Sequence, residues 1–478
     1  MKHFLVLLLA FFSLKLVTAQ TVGHVYHAND STPLSGVHVI SSSNLVAVTD
    51  NKGKFQFDTT LNKEAIIKHV GFLPDTVMLR DSADNYLFLH PVSEGLSGVT
   101  VTSWGYFNDY RHQLSHVSEL NPDKIGESAV VNPVESLYRK SGIEFQRGAR
   151  NTQKITIRGA GARSMYSTTR TNVFFNGIPL SSALGEVFLD DLLWNETHEV
   201  SIIKGAVPPV FGSAAGGVVL LRKNQPGDAS RVSSGVTAGS AGYMHHYYNT
   251  QLQANRFSAD IQYQDISEDG FRENSSYRGK RVSALLTFRL NENHRLQSFT
   301  LISDMKGFIP SSLSYDDFRN NPVAAGGNWK ETSGYEKNES GAQGVTLHSR
   351  YSEKLSHETT LYGFYRNGNE RRPFNTLNDQ HRRTGLRSVL TAEVGHDLPG
   401  QWLWQAGGKY QYGDYSWKTL ETLDYNQTGE LLTDQSQNRQ EAEGFLFTSY
   451  TYQNWKAEAG IHVNQTQYHT ENDLNSDN

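Results

Sequence analysis

Not one cysteine occurs in the 478 residues. A disulfide framework, a thiolate metal site and a cysteine nucleophile are therefore excluded. Long apolar runs are nearly as scarce. Mean hydropathy is −0.52, and a membrane-spanning helix needs about 20 consecutive apolar residues, so the composition argues against helical spans. Basic charge is not in excess either. The net charge is −5, and a nucleic-acid partner usually leaves a basic footprint. Catalytic signatures are missing as well: there is no H-E-x-x-H, and no G-x-x-x-x-G-K-[ST]. Nothing resembles a catalytic triad or a paired-carboxylate site. One H-x-x-E, His116 to Glu119, supplies only two ligands. The expectation is a protein with no catalytic residue, no cofactor and no resident metal.

What is present is aromatic and polar at once, with 23 Tyr and 23 Phe. The one long apolar stretch opens the chain. Lys2 and His3 precede an apolar segment over 4–14, and Val17-Thr18-Ala19 offers a small-residue cleavage site. Residues 1–19 therefore read as a secretory signal. An exported, aromatic-rich chain without helical spans points to an outer-membrane β-barrel or a secreted β-protein.

Residues 20–92 alternate over short runs broken by turn clusters such as Asp50-Asn51-Lys52-Gly53. That pattern predicts a small β-sandwich. GHVYHANDSTPLSGVHV, TDNKGKFQF and HVGFLPDTVML together resemble the carboxypeptidase-regulatory-like domain. No zinc spacing falls within the segment, so it is expected to be an accessory module.

Residues 93–110 are Gly- and Ser-rich and then β-prone at Val99, Thr100, Val101 and Thr102. This short run resembles a TonB box, which implies that a TonB-type periplasmic energy transducer grips it by β-augmentation. A plain linker strand is the other reading. Over 111–226 the elements come in a distinctive order. Asn132-Pro133-Val134-Glu135 starts a short helix that Gly142 stops. KITIRG is a strand, NVFFNGIPL a hairpin with an Asn176-Gly177 turn, and EVSIIKG and GGVVLL are two further strands. Turn chemistry fills the gap between the last two, with Pro208, Pro209 and four glycines. This order resembles the plug domain of TonB-dependent receptors. The resemblance implies that Arg158 and Lys204 occupy basic positions facing barrel carboxylates. Many members of the family have Arg where Lys204 stands, and lysine cannot make a bidentate fork. Ordinary surface charge is the alternative for both residues.

Beyond residue 227 the pattern becomes apolar/polar alternation in about eleven runs, most extensible to the roughly 10 residues of a tilted membrane strand. Short connections alternate with long ones near 265–279, 303–342, 367–384 and 414–440, which is the rhythm of an outer-membrane barrel. Trp402, Trp404, Tyr450, Tyr452 and Trp455 suit an interfacial girdle. The fold class expected is thus mostly β: an N-terminal β-sandwich, an α+β plug and the N-terminal part of a transmembrane antiparallel barrel over 227–478. The resemblance implies a barrel of about 22 strands, so this chain is expected to stop about halfway round.

Candidate ligand contacts are Arg163, Tyr166 and Arg170 on plug loop 159–170, with His245 and His246 at the first outer loop. Adjacent strand side chains point to opposite faces, so the two histidines are not expected to converge. Residues 265–281 and 308–329 look like outer segments of ferric siderophore or ferric citrate receptors. The function implied is TonB-dependent import of such an iron complex across the outer membrane, with lipid around the wall and the N-terminal domain in the periplasm. A non-transporting receptor or adhesin, or an importer of haem, cobalamin or oligosaccharide, stays open.

Overall fold

The computed structural model describes residues 20–28, 30–41, 44–58, 64–69, 72–80, 84–90, 114–120, 140–150, 152–164, 167–189, 199–223, 229–395, 400–423, 427–472 and 474. The signal segment, the TonB-box-like run, the body of the helix expected after Asn132, and Tyr166 lie outside these residues. The chain divides into two compact units, residues 1–102 and 103–478.

The first unit is a sandwich of seven strands: β1 (Gln20–His27), β2 (His38–Ser41), β3 (Asn44–Val48), β4 (Lys54–Asp58), β5 (Glu64–Lys68), β6 (Asp75–Met78) and β7 (Asp84–Leu89). One sheet runs β4-β1-β7 and the other β3-β2-β5-β6. Alternation directs Val25, Val39, Phe55, Ile67 and Leu89 inward, where they form one buried cluster. Strand β3 escaped the sequence reading because its five residues follow β2 almost without a break.

The second unit begins with β8 (His116–Leu120), β9 (Ile143–Arg147), β10 (Gln153–Ile157), β11 (Thr171–Phe175), β12 (Ile178–Pro179), β13 (Glu199–Lys204) and β14 (Gly217–Arg222). Five of these strands form a mixed sheet in the order β12-β11-β14-β13-β8, and β9 and β10 form a hairpin. The Asn176-Gly177 turn has φ of 43° and 87°, the double positive φ that makes Asn-Gly the favoured pair in a tight hairpin. Between β13 and β14 the chain makes a 3-10 turn at Pro209–Phe211. Gly217 closes this excursion with φ 134°, and a Cβ there would sit 2.3 Å from the Ile203 carbonyl oxygen.

Eleven strands follow: β15 (Arg231–Ala238), β16 (Met244–Gln253), β17 (Phe257–Glu268), β18 (Tyr277–Arg289), β19 (His294–Phe308), β20 (Tyr335–Ser352), β21 (Leu355–Arg371), β22 (Thr376–Val394), β23 (Gln401–Thr422), β24 (Thr428–Tyr452) and β25 (Trp455–Asn472). They pair in sequence order as one antiparallel sheet. Each corresponds to one alternating run in the sequence. The strands exceed expectation in length, up to the 25 residues of β24. Much of the supposed loop at 367–384 and 414–440 is paired strand, because backbone ladders continue where apolar alternation stops. Among the described residues of the wall, only 309–334 keeps a long irregular connection, with α1 (Tyr315–Asn320) and α2 (Gly327–Thr332).

The sheet is inverted relative to a water-soluble layer. Leu361 and Ile461 keep 61% and 66% of their surface, and Val282, Ile302, Leu386 and Leu446 are likewise exposed on the same face. Trp402 lies 5.8 Å from Trp404 and 4.5 Å from Tyr450 near the short-turn end. The other face carries Ser283, Arg383, Arg387, Gln411 and Glu441, all buried. An apolar outer band with an aromatic rim is what a wall in hydrocarbon requires. Among the described residues no helix is long and apolar enough to cross a membrane.

Candidate functional site

The small mixed sheet packs against the polar face of the wall. Its β11 and β14 side chains Val173, Phe175 and Val219, with Ile155 of the β9/β10 hairpin, share one buried cluster with Leu285, Phe299 and Leu301 of the wall. Phe175 stacks on Phe299 with centroids 4.1 Å apart. A second cluster joins Phe174, Val210 and Phe211 to Val389, Phe445 and Phe447.

Polar contacts fix the seat. Lys223 Nζ lies 2.7 Å from Asp260 Oδ1, with side chains 3% and 0% exposed. Asp260 also accepts from Gln251 at 2.8 Å, so its charge is held by two partners. At the long-loop end, Arg150 donates to Glu268 at 2.6 Å. Its guanidinium also lies 5.2 Å from the ring centroids of both Tyr243 and Tyr277. On β22, Arg383 donates to the Pro179 carbonyl at 2.9 Å and to Ser181 Oγ. Arg387 donates to the Val210 carbonyl at 2.9 Å. Thus the proline-glycine excursion docks on the wall. Gly212, at φ 76°, lies against Glu443: a Cβ there would sit 2.9 Å from its Oε2.

The residues singled out from sequence fall in different places. Lys204 is buried and donates to the Ser141 carbonyl at 2.5 Å. Burial lowers its pKa from 10.5, helped by the like charges of Arg158 and Lys140. Arg158 is exposed with φ 51°. The wall carboxylates Glu441 and Glu443 are engaged instead by Lys409, at 3.2 and 2.9 Å, and by Arg439, at 2.6 Å from Glu441. Arg163 and Arg170 are exposed on either side of Ser167. Ser167 donates to Glu186 at 2.7 Å, and Thr168 bridges Val187, so loops 159–170 and 181–186 are joined. Lys154 donates to the Ala162 and Ser164 carbonyls, which holds Arg163 on a braced turn. His245 is buried while His246 is only half-buried, in keeping with strand alternation.

Sequence reading missed Arg150, Arg383, Arg387, Lys409 and the Glu441/Glu443 pair. Parity could have found the two β22 arginines. Leu386 and Leu390 mark the outward face, so odd-numbered Arg383 and Arg387 must face inward. Among the described residues no group of three His, Asp or Glu side chains could hold a metal.

A small sheet seated on the polar side of a wide antiparallel wall, with an apolar far side, is the architecture of a plugged membrane β-barrel. Residues 110–219 match the family described as TonB-dependent Receptor Plug Domain. Solved structures share the fold. The ferric citrate transporter FecA in its unliganded form aligns with TM-score 0.68 at 13% identity, over 76% of this chain and 58% of that one. BauA, the ferric preacinetobactin receptor from Acinetobacter baumannii, aligns with 0.61 at 11% identity, over 77% and 60%. The ferric-catecholate import receptor Fiu from E. coli K12, in its closed form, aligns with 0.59 at 12% identity, over 76% and 57%. The chain therefore spans less than two thirds of the length of each of these structures. The plug domain and receptor fold indicate the outer membrane.

Proposed function

We propose that this chain forms the plug and part of the wall of a TonB-dependent importer, a transporter and not an enzyme, that takes up an iron complex of the ferric siderophore or ferric citrate type. One observation carries the reading: the plug sits by polar and aromatic contacts on the inner face of a sheet whose outer face is apolar. Such a seat closes a lumen at rest, and its many separate hydrogen bonds can be released one after another. Arg163, Arg170 and Tyr166 would meet ligand on the outer plug loops, and His245 would line the wall beside them. Arg158 and Lys204 would brace the plug. Val99 to Thr102 would pair with the transducer's sheet edge in the periplasm. The sandwich, read as a carboxypeptidase-regulatory-like module, would share that compartment, and lipid would cover the outer band.

The test is uptake of [55Fe]ferric citrate by cells expressing the protein with and without Val101→Pro. Proline removes a backbone donor and blocks strand pairing. Energised uptake should be abolished while surface binding persists. Uptake equal to the wild type sinks the energised-import reading and favours a non-transporting receptor.

A further inference from the structure

Five basic side chains of β21 to β24 face the lumen, and two of them differ from the rest. Arg366 has carboxylates at 2.6 Å (Glu336) and 3.2 Å (Asp379). Lys409 and Arg439 hold Glu441 and Glu443. Arg383 and Arg387 have no carboxylate ion pair among the described residues. Their hydrogen-bond acceptors are neutral and belong to the plug: Pro179 O and Ser181 Oγ for one, Val210 O for the other. Both are buried, at 2% and 5% exposure. Arg383 Nε has no hydrogen-bond partner among the described residues. Aromatic rings flank them, Tyr362 at 5.2 Å from Arg383 and Phe174 at 5.8 Å from Arg387.

Burying a guanidinium whose direct acceptors are all neutral costs several kcal/mol of desolvation, which the more distant carboxylates of Glu441, Glu358 and Glu443 offset only in part. Glutamine or serine could anchor a plug carbonyl without that penalty. The charge is therefore useful for something other than the resting seat. The two residues share one face of β22 and stand four positions apart, about 13 Å along the strand. Their acceptors lie in the two plug segments, 179–181 and 209–211, that rest on this part of the wall. Movement of those segments away from the wall would bare both guanidiniums together.

We propose that Arg383 and Arg387 form an anion-guiding pair in the lumen wall, for which plug oxygens stand in at rest. Their ligand class is an oxygen-rich polyanion such as a ferric polycarboxylate. Positively charged donors suit carboxylate oxygens, and two sites in series pass such a ligand from outer to inner lumen. The inference rests on the import reading and narrows its substrate to an anion.

The test compares [55Fe]ferric citrate, an anion, with [55Fe]ferrioxamine B, a cation, in cells lacking other ferric receptors. The chain is expressed as wild type, as Arg383→Gln/Arg387→Gln and as Arg383→Lys/Arg387→Lys. Glutamine keeps a donor for the plug carbonyls, and exclusion of vancomycin by the cells checks that the plug stays seated. Loss of charge should lower ferric citrate uptake about tenfold or more with surface binding unchanged, and lysine should restore most of it. Equal ferric citrate uptake by wild type and glutamine variant overturns the anion-guiding role alone. Failure of the lysine variant to restore uptake overturns it too, because a guiding charge must survive that exchange. Wild-type cells that accumulate neither probe overturn the import reading and this role with it.

Discussion

The N-terminal sandwich and the eleven-stranded wall use the same alternation for opposite ends. In the sandwich, Val39, Phe55 and Ile67 are buried between two sheets, while Ile66 beside Ile67 is exposed. In the wall, Leu361 and Ile461 are exposed, while Arg383, Gln411 and Glu441 are buried against the plug or among one another. Period-2 patterning says only that a strand has two unlike faces. Which face is interior depends on the solvent. Water drives apolar side chains inward, whereas hydrocarbon accepts them outward and leaves the polar set to pair within the lumen.

That contrast can be broken most forcefully at the buried ion pair. Asp260→Ala removes the carboxylate that faces the buried Lys223 ammonium and should destabilise the second unit by about 3–5 kcal/mol, read by denaturant unfolding in lipid with tryptophan fluorescence. Unaltered stability would mean that the wall's inner face is wet enough to solvate the ammonium in place of Asp260. Next in size is a matched pair of arginine substitutions at outward apolar positions. Leu361→Arg should cost about 2–4 kcal/mol if its face meets the bilayer midplane. Ile66→Arg in the sandwich should stay within about 0.5 kcal/mol, as surface changes do. Equal effects at the two positions would erase the difference in solvent. A smaller effect is expected inside the sandwich core, where Ile67→Val removes one buried methylene. It should cost about 0.5–1.5 kcal/mol, measured by hydrogen exchange over residues 20–90 in the full chain.

The smallest expected effect depends on pH. Asp50 accepts the backbone N–H of Lys54 at 2.9 Å and of Lys52 at 2.8 Å. These bonds, that of Lys54 foremost, hold its carboxyl below the ordinary 3.8. The folded state thus binds this proton less readily than the unfolded state, so the contribution is fully present above 3.8 and is lost as pH falls through the lower folded value. Hydrogen-exchange protection at the 50–54 turn, taken relative to the intrinsic rate at each pH, should fall on acidification in the wild type and lose that dependence in Asp50→Asn. An unchanged profile in Asp50→Asn would remove the turn from the acid response.

Much of the fold was legible because alternation is local. The eleven runs map onto β15 to β25, and Asn176-Gly177 takes the double positive φ that its residues favour. Strands β8 and β9 were not legible. HVSEL pairs only because β13 lies beside it, and IEFQR because β10 returns along it. The strand extensions at 367–371 and 414–422 were hidden for the same reason: polar residues join a ladder when a neighbour supplies hydrogen-bond partners, not from preference of their own.

The amino-acid sequence by itself determined where strands alternate, where turns must fall and that no thiol takes part. It also exposed Arg163 and Arg170 on a plug loop. Only the tertiary structure decided that Lys204 turns to the Ser141 carbonyl, that Glu441 and Glu443 are claimed by Lys409 and Arg439, and that Arg383 and Arg387 reach the plug. Pattern acts over a few residues, whereas these charges choose partners as many as 204 positions away. Such choices follow from which groups a shared low-dielectric interior brings within reach, and chain order carries no record of them.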